Sequence, residues 1–298
     1  NGQLARAWLA VDALELNEAA RLIASIDVDA LRGHVLPGLV VYVEALRLLY
    51  SGRPEEALHE LLRFAPSQRP VRDELALQAA RSNALHADLL LALGRGNHAR
   101  AVIQRSDHPL MRVPLARMLL LSGEPTAAVG VASDFDWVQV ATPRSTVEML
   151  LVKAVAHHRN GQPETARATL GNAIGTAANA DELRPFADFP RAELIEIAQG
   201  LRAPAMAFLE RATGAVDGPV FRARVELVHL TSREQLILTR LAAGLRARQI
   251  ATELFISYNT VRTYIRQIYK KLSATSRDDA VTRARAYGLI PTSPRSQR

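Results

Sequence analysis

The chain has 298 residues, 48% of them hydrophobic and 22% charged, which suits a soluble protein of about two domains. It contains no cysteine, so a disulfide framework, a thiolate metal site and a thiol nucleophile are all excluded. The net charge of +7 is unevenly placed: residues 226–298 hold 13 basic and 5 acidic side chains, whereas residues 1–225 hold 24 and 25. A basic module on a neutral body is the electrostatic footprint of a nucleic-acid binder, with a basic tail kept for solubility as the plainer alternative.

The first residues, NGQLARAWLAVDALEL, carry neither the basic start nor the cleavage site of a signal peptide. They also lack an initiator methionine, which points to a fragment of a longer protein. No apolar run approaches the ~18 residues that a membrane span needs, so no membrane partner and a cytoplasmic location are expected.

Three strings then recur, SGRPEEAL at 51–58, SGEPTAAV at 122–129 and NGQPETAR at 160–167, with a fourth, LGRGNHARAV, at 93–102. Gly52, Gly94, Gly123 and Gly161 suit the left-handed residue that ends a helix. Pro54, Pro125 and Pro163 suit the first turn of the next helix, where a backbone N–H is dispensable. Ala57, Ala99, Ala128 and Ala166 are small enough for two helices to approach closely. Each string therefore reads as the turn of a helical hairpin, preceded by apolar helices such as VLPGLVVYVEALRLLY and VEMLLVKAVAHHR. The glycines lie 42, 29 and 38 residues apart, near the ~34 of a tetratricopeptide repeat. Val11 to Ile26 reads as a degenerate earlier copy, with Leu14 in the glycine position. Such units stack into a solenoid that binds a peptide, a protein or a small ligand.

Site candidates in this region are weak. His157 and His158 are adjacent and cannot form the i, i+4 pair that holds a metal on a helix. Asp134 and Asp136 flank Phe135 in an expected solvated loop. Trp8, Trp137, Phe186 and Phe189 are expected in packing rather than in a groove. GxxxxGK[ST], HExxH and GxSxG are all absent from the sequence, and neither an enzyme, a cofactor nor a metal site is expected.

After a helix ending near Ala212, TGAVDGPVFRAR breaks helical periodicity at Gly214, Gly218 and Pro219, so residues 213–225 read as a linker. Thr231 and Glu234 then form the T-x-x-E of a capping box. Ile237, Leu238, Leu241 and Ala242 give that helix an apolar face, and Gly244 stops it. A second helix, about Ala247 to Leu254, turns Ile250, Ala251 and Leu254 inward. Ser257 is a good N-cap for a third helix, YNTVRTYIRQIYKKL. Within it, Val261, Ile265, Ile268 and Leu272 make one apolar stripe. Arg262, Thr263, Arg266 and Lys270 lie off that stripe.

Two short helices joined by a tight turn, the second basic on its outer face, match a helix-turn-helix motif, whose early second-helix residues meet base edges. Arg262, Thr263 and Arg266 are the expected base contacts. Ser257, Asn259, Thr260 and Lys270 are expected on phosphates, which fix register.

The string LTSREQLILTRLAAGLRARQIATELFISYNTVRTYIRQIYKKL resembles the LuxR-type, GerE- and NarL-like DNA-binding domain over about residues 226–290. The resemblance implies base contacts at Arg262, Thr263 and Arg266. It also implies a fourth helix, about Ser276 to Tyr287, that forms the dimer contact through Asp279, Val281, Arg283, Ala284 and Tyr287. Tyr264 stands where the family commonly has His and would alter a phosphate contact. Ser273 stands where it usually has Gly and would alter the turn into the last helix. Together with the repeats, the chain is similar to the C-terminal portion of MalT-like, large ATP-binding LuxR regulators, without a phosphate-binding loop of its own.

The expected architecture is all-α: a TPR-like helical-hairpin repeat domain at 1–212, the linker, a four-helix LuxR-type module at 226–290, and a disordered tail at 291–298. The expected function is a sequence-specific transcription regulator. Its partners would be double-stranded promoter DNA, a second copy of the chain, RNA polymerase, and a small-molecule or protein inducer on the repeats. The alternative is a TPR-like protein–protein adaptor whose helix-turn-helix serves dimerisation.

Overall fold

A computed structural model describes residues 2–27, 36–63, 73–134, 142–216, 218–222 and 224–290. Among these the regular structure is helical throughout, sixteen α-helices and two 3-10 turns. None of these helices is long and apolar enough to cross a membrane. Residues Phe135, Asp136, Trp137 and 291–298 lie outside the described set. The chain divides into two compact units: unit 1 is Asn1–Gly94 with Val102–Val225, and unit 2 is Arg95–Ala101 with Glu226–Arg298.

Unit 1 begins with the helix pairs α1 (Gly2–Asp12) and α2 (Leu16–Ala24), then α3 (Leu36–Tyr50) and α4 (Pro54–Arg63), followed by α5 (Asp73–Ala92), after which α6 (Gly96–Ile103) falls largely in the stretch assigned to unit 2. They continue with α7 (Arg112–Leu121) and α8 (Pro125–Ser133), then α9 (Pro143–Arg159) and α10 (Pro163–Ala180). The turns are where the sequence places them. Gly52, Gly94, Gly123 and Gly161 have φ between 73° and 85°, and Leu14 takes the same left-handed conformation at φ 60°. An L-residue pays for that conformation, and Leu14 offsets it by burying its side chain. The prolines open α4, α8 and α10. Ala57, Ala128 and Ala166 are fully buried, so each of those hairpins closes on a methyl group, and Ala99 of α6 is fully buried as well. Two further helices, α11 (Arg191–Ala198) and α12 (Ala203–Gly214), pack on α10.

The described part of the segment expected to be a linker is held against unit 1. Helix α12 runs to Gly214, and Phe221 and Val225 are buried. Val220 N–H donates to Ala187 O and Val225 N–H to Leu121 O, and the Arg117 guanidinium lies 4.5 Å from the Phe221 ring centre. Gly and Pro do end the helix, but the apolar residues after them have surface to bury, worth about 1.5–3 kcal/mol for a Phe.

Unit 1 also encloses an ionic network. Arg117 bonds Asp88 and, at 2.8 Å, Asp188, which accepts a 2.7 Å hydrogen bond from Tyr50. Arg144 bonds Asp12 and lies 3.4 Å from Glu182, and Arg184 lies 3.1 Å from the other Asp12 oxygen. Burial pushes the Asp188 carboxyl up to about 6, against the pull of Arg117. Burial likewise raises Asp12, Asp88 and Glu182. Arg117 stays charged because Asp88 and Asp188 outweigh the cost of burying it. Phe186 and Phe189 are core residues, as expected.

Unit 2 contains α13 (Ser232–Ala242), α14 (Ala247–Glu253), α15 (Tyr258–Leu272) and α16 (Arg277–Ala286). Ile237, Leu238, Leu241, Ile250, Val261, Ile268, Leu272, Ala280 and Ala284 form its core. The Thr231–Glu234 capping box is present, and Glu234 also binds Lys271 Nζ at 2.6 Å. Burial alone would raise the Glu234 carboxyl; Lys271 and the Thr231 donors more than offset it, and it sits below the usual range.

Candidate nucleic-acid interface

Helix α15 is fixed from both ends. At its start Ser257 Oγ accepts from Thr260 N–H at 3.0 Å and lies 2.8 Å from Thr260 Oγ1. At its end Ser273 adopts φ 51°, the left-handed conformation that glycine takes most readily. Val261, Ile268 and Leu272 are buried and Ile265 is half-buried, which leaves the helix no freedom to rotate about its axis.

That anchoring exposes one face. Arg262, Thr263, Arg266 and Lys270 are all exposed, as are Ser257, Asn259 and Thr260 at the N-terminal end. Four residues therefore combine a shared outer surface with backbone positions set by the core. Thr263 Oγ1 donates to Asn259 O at 3.0 Å. Tyr264 is half-buried and leans on the core, so its ring is held at the edge of the face. Lys271, in contrast with Lys270, is tied back to Glu234.

Two contributors were missed in the sequence. Tyr258 is exposed, with the Arg262 guanidinium 5.9 Å and the Arg248 guanidinium 5.8 Å from its ring centre. The stack restricts Arg262 and adds the cation of α14 to the same patch. An i, i+4 Tyr–Arg spacing was the available signal; Arg248 gave none. The second is Phe255, which is 95% exposed at φ 53° in the turn between α14 and α15.

The fourth helix divides the residues expected at a dimer contact between core and surface. Of the residues expected to make a dimer contact, Val281 and Ala284 are buried in unit 2's own core, because α16 must cover α13 and α15. Asp279 takes a 2.8 Å ion pair from Arg283 and accepts from Thr275 N–H. Arg283 and Tyr287 remain on the outer side, with Tyr287 exposed.

Residues 228–284 match the family model described as GerE, bacterial regulatory proteins of the luxR family. The transcriptional regulatory protein YdfI of Bacillus subtilis is 41% identical over 61 residues, 20% of this chain and 29% of that protein. The probable HTH-type transcriptional regulator GfsR of Streptomyces halstedii is 46% identical over 54 residues, 18% and 22%. The transcriptional regulatory protein DesR of Bacillus subtilis is 42% identical over 59 residues, 20% and 30%. This chain thus spans less than a third of the length of these relatives. No solved structure matches the chain. The C-terminal module is a luxR-family helix-turn-helix domain.

Proposed function

We propose that the chain is a sequence-specific DNA-binding regulator of transcription that places α15 in the major groove. The observation that carries this reading is the exposed face of Arg262, Thr263, Arg266 and Lys270 on a helix locked by Val261, Ile268 and Leu272. Arginine at such a position donates two hydrogen bonds to guanine O6 and N7, worth about 1–3 kcal/mol of discrimination. Thr263 meets the neighbouring base, since its hydroxyl is committed to Asn259 O and its methyl suits thymine. Ser257, Asn259, Thr260, Tyr264 and Lys270 hold phosphates and set register. The unit acts as a homodimer on two half-sites through Arg283 and Tyr287, and unit 1 carries the sensing of an inducer or protein partner.

The test is selection of bound duplexes from a random pool with the intact chain and with an Arg262→Ala/Arg266→Ala variant. A palindromic motif that the variant loses is the expected result. Equal enrichment by both refutes the groove assignment, and no enrichment by either favours the adaptor reading. Lys270→Ala should weaken every sequence alike and reduce the salt slope by about one; a loss confined to one sequence counts against its phosphate role.

A further inference from the structure

Unit 1 contains a cavity of about 520 Å³ that the DNA-reading face does not use. Its wall includes Trp8 of α1, Tyr42 and Tyr50 of α3, Arg81 of α5, and Arg144 and Glu148 of α9. Trp8 and Tyr42 form an aromatic corner, with ring centres 5.3 Å apart.

The charges around this cavity do not balance. The wall itself carries three carboxylates, Asp88, Glu148 and Glu182, and three guanidinium groups, Arg81, Arg144 and Arg184; Asp12, Asp188 and Arg117, joined to these by ion pairs, bring the group to five against four. Arg117, Arg144 and Arg184 are engaged with Asp88, Asp188, Asp12 and Glu182. Arg81 lies 5.8 Å from the centre of the Trp8 ring, and Arg144 lies 5.7 Å from it. Glu148 is left over. It is half-buried on the cavity wall and makes no hydrogen bond or ion pair among the described residues. Its negative charge helps to raise the carboxyls of Asp12, Asp88 and Asp188 and the phenols of Tyr42 and Tyr50, and it also favours the charged forms of Arg117 and Arg184.

A half-buried carboxylate without a hydrogen bond or ion pair is costly, and although Arg117 and Arg184 lie within its electrostatic reach, both are bonded to other carboxylates. A guanidinium from the protein cannot relieve it, because three are engaged elsewhere and the fourth lies by Trp8. An anionic ligand would meet the same excess of carboxylate. A cation gains on both counts, from the charge and from the ring faces, which attract cations.

We propose that this cavity binds a small organic cation, a protonated amine whose ammonium group sits on the Glu148 carboxylate and whose carbon skeleton lies against Trp8 and Tyr42. As an account of what unit 1 senses, this rests on the regulator reading; as an account of binding, it stands without DNA.

The experiment uses the full chain in a Trp137→Phe background, where Trp8 becomes the one indole. Phenethylamine, 2-phenylethanol and phenylacetate share a skeleton and differ in charge, and putrescine supplies ammonium groups without a ring. Trp8 fluorescence and the melting temperature are followed with each. The expected result is a saturable response to phenethylamine that exceeds those to the alcohol and the acid by about tenfold in affinity, and a loss of about tenfold with Glu148→Gln. Tyr42→Leu should weaken phenethylamine more than putrescine, and helical circular dichroism checks that each variant is folded. Equal responses to all three phenyl compounds overturn the proposal. So does an amine affinity unchanged by Glu148→Gln, or no response to either amine at about 10 mM. Amine binding that depends on Glu148, together with no selected DNA motif, would keep the cavity assignment and remove the regulator reading. A selected motif with no amine response would do the reverse.

Discussion

The two units handle charge in opposite ways. Among the described residues, unit 1 buries Asp12, Arg117, Arg184 and Asp188, whereas in unit 2 Glu234 is the charged side chain that is buried. Unit 2 keeps an apolar core and leaves Arg262, Arg266 and Lys270 outside, where they cost nothing in desolvation and are free to meet a polyanion. Burying ion pairs costs several kcal/mol per ion before attraction returns it, so the network of unit 1 is a poor way to gain stability. Its value lies in arrangement. It fixes the walls of a cavity with a defined set of donors and acceptors, while the charges of unit 2 serve a surface.

The largest test of that contrast is Arg117→Ala. It leaves Asp88 and Asp188 without their guanidinium and should destabilise unit 1 by about 3–5 kcal/mol, the usual cost of breaking a buried pair. Urea denaturation followed by Trp8 fluorescence checks it. A cost below about 1 kcal/mol would mean that water already screens the network, as it does for surface pairs.

Arg262→Ala and Arg266→Ala should behave in the opposite sense. Each should cost about 1–3 kcal/mol of base discrimination, yet change folding stability by no more than about 0.5 kcal/mol. Anisotropy titrations on the selected duplex and thermal melts of the same variants separate the two quantities. A large loss of stability would place these arginines in the structure of unit 2 and collapse the difference between the units.

Acid sharpens the comparison further. Asp188 has its folded value raised to about 6, so it binds a proton more readily folded than unfolded. Its contribution to stability is therefore fully present below the ordinary carboxylate value of about 4 and is lost as pH rises through about 6. Glu234 is shifted down, so its contribution is present above its unfolded value and is lost as pH falls through the lower folded one. The groups that face Asp188 are Arg117, Asp88, Tyr50 and Glu148. The stability of the parent chain relative to an Asp188→Asn variant should fall between pH 4 and pH 6.5, as read by denaturation midpoints. A flat or rising difference would show that Arg117 governs the carboxyl completely.

The glycine turns of unit 1 and the helix-turn-helix were legible in sequence because each rests on local rules. Glycine, proline and alanine at fixed offsets specify a turn, and Leu14 follows the same offset without a glycine. The apolar spacing of α15 sorts its faces without reference to any other helix. The ionic network was not legible. Asp12, Asp88, Arg117 and Asp188 lie on four separate elements spread over 177 positions, and only Arg144 and Glu148 share a helix, so no spacing joins the group. The trace they do leave is a charged residue inside an apolar run, as in AWLAVDALEL and PLARMLLL. The positions expected at a dimer contact show the same limit: the resemblance names them on α16, and packing within unit 2 leaves Arg283 and Tyr287 outside and Val281 and Ala284 inside.

The smallest expected effects concern two non-glycine residues in the left-handed conformation, Phe255 at φ 53° and Ser273 at φ 51°. An L-residue there costs roughly 1–2 kcal/mol, part of which glycine gives back as unfolded-chain entropy. Phe255 is almost fully exposed, so its ring adds little packing to compensate. Phe255→Gly and Ser273→Gly should each therefore stabilise unit 2 by up to about 1 kcal/mol, seen as a higher melting temperature. DNA affinity gives the pair its second meaning. Ser273 follows the C-terminal end of α15 and its replacement should leave affinity unchanged, whereas Phe255 lies just before Ser257 and Tyr258 at the N-terminal end of that helix. If Phe255→Gly stabilises the fold and weakens DNA binding together, the strain at that turn is retained for contact. If it stabilises the fold and leaves binding untouched, the exposed ring plays no part in DNA contact.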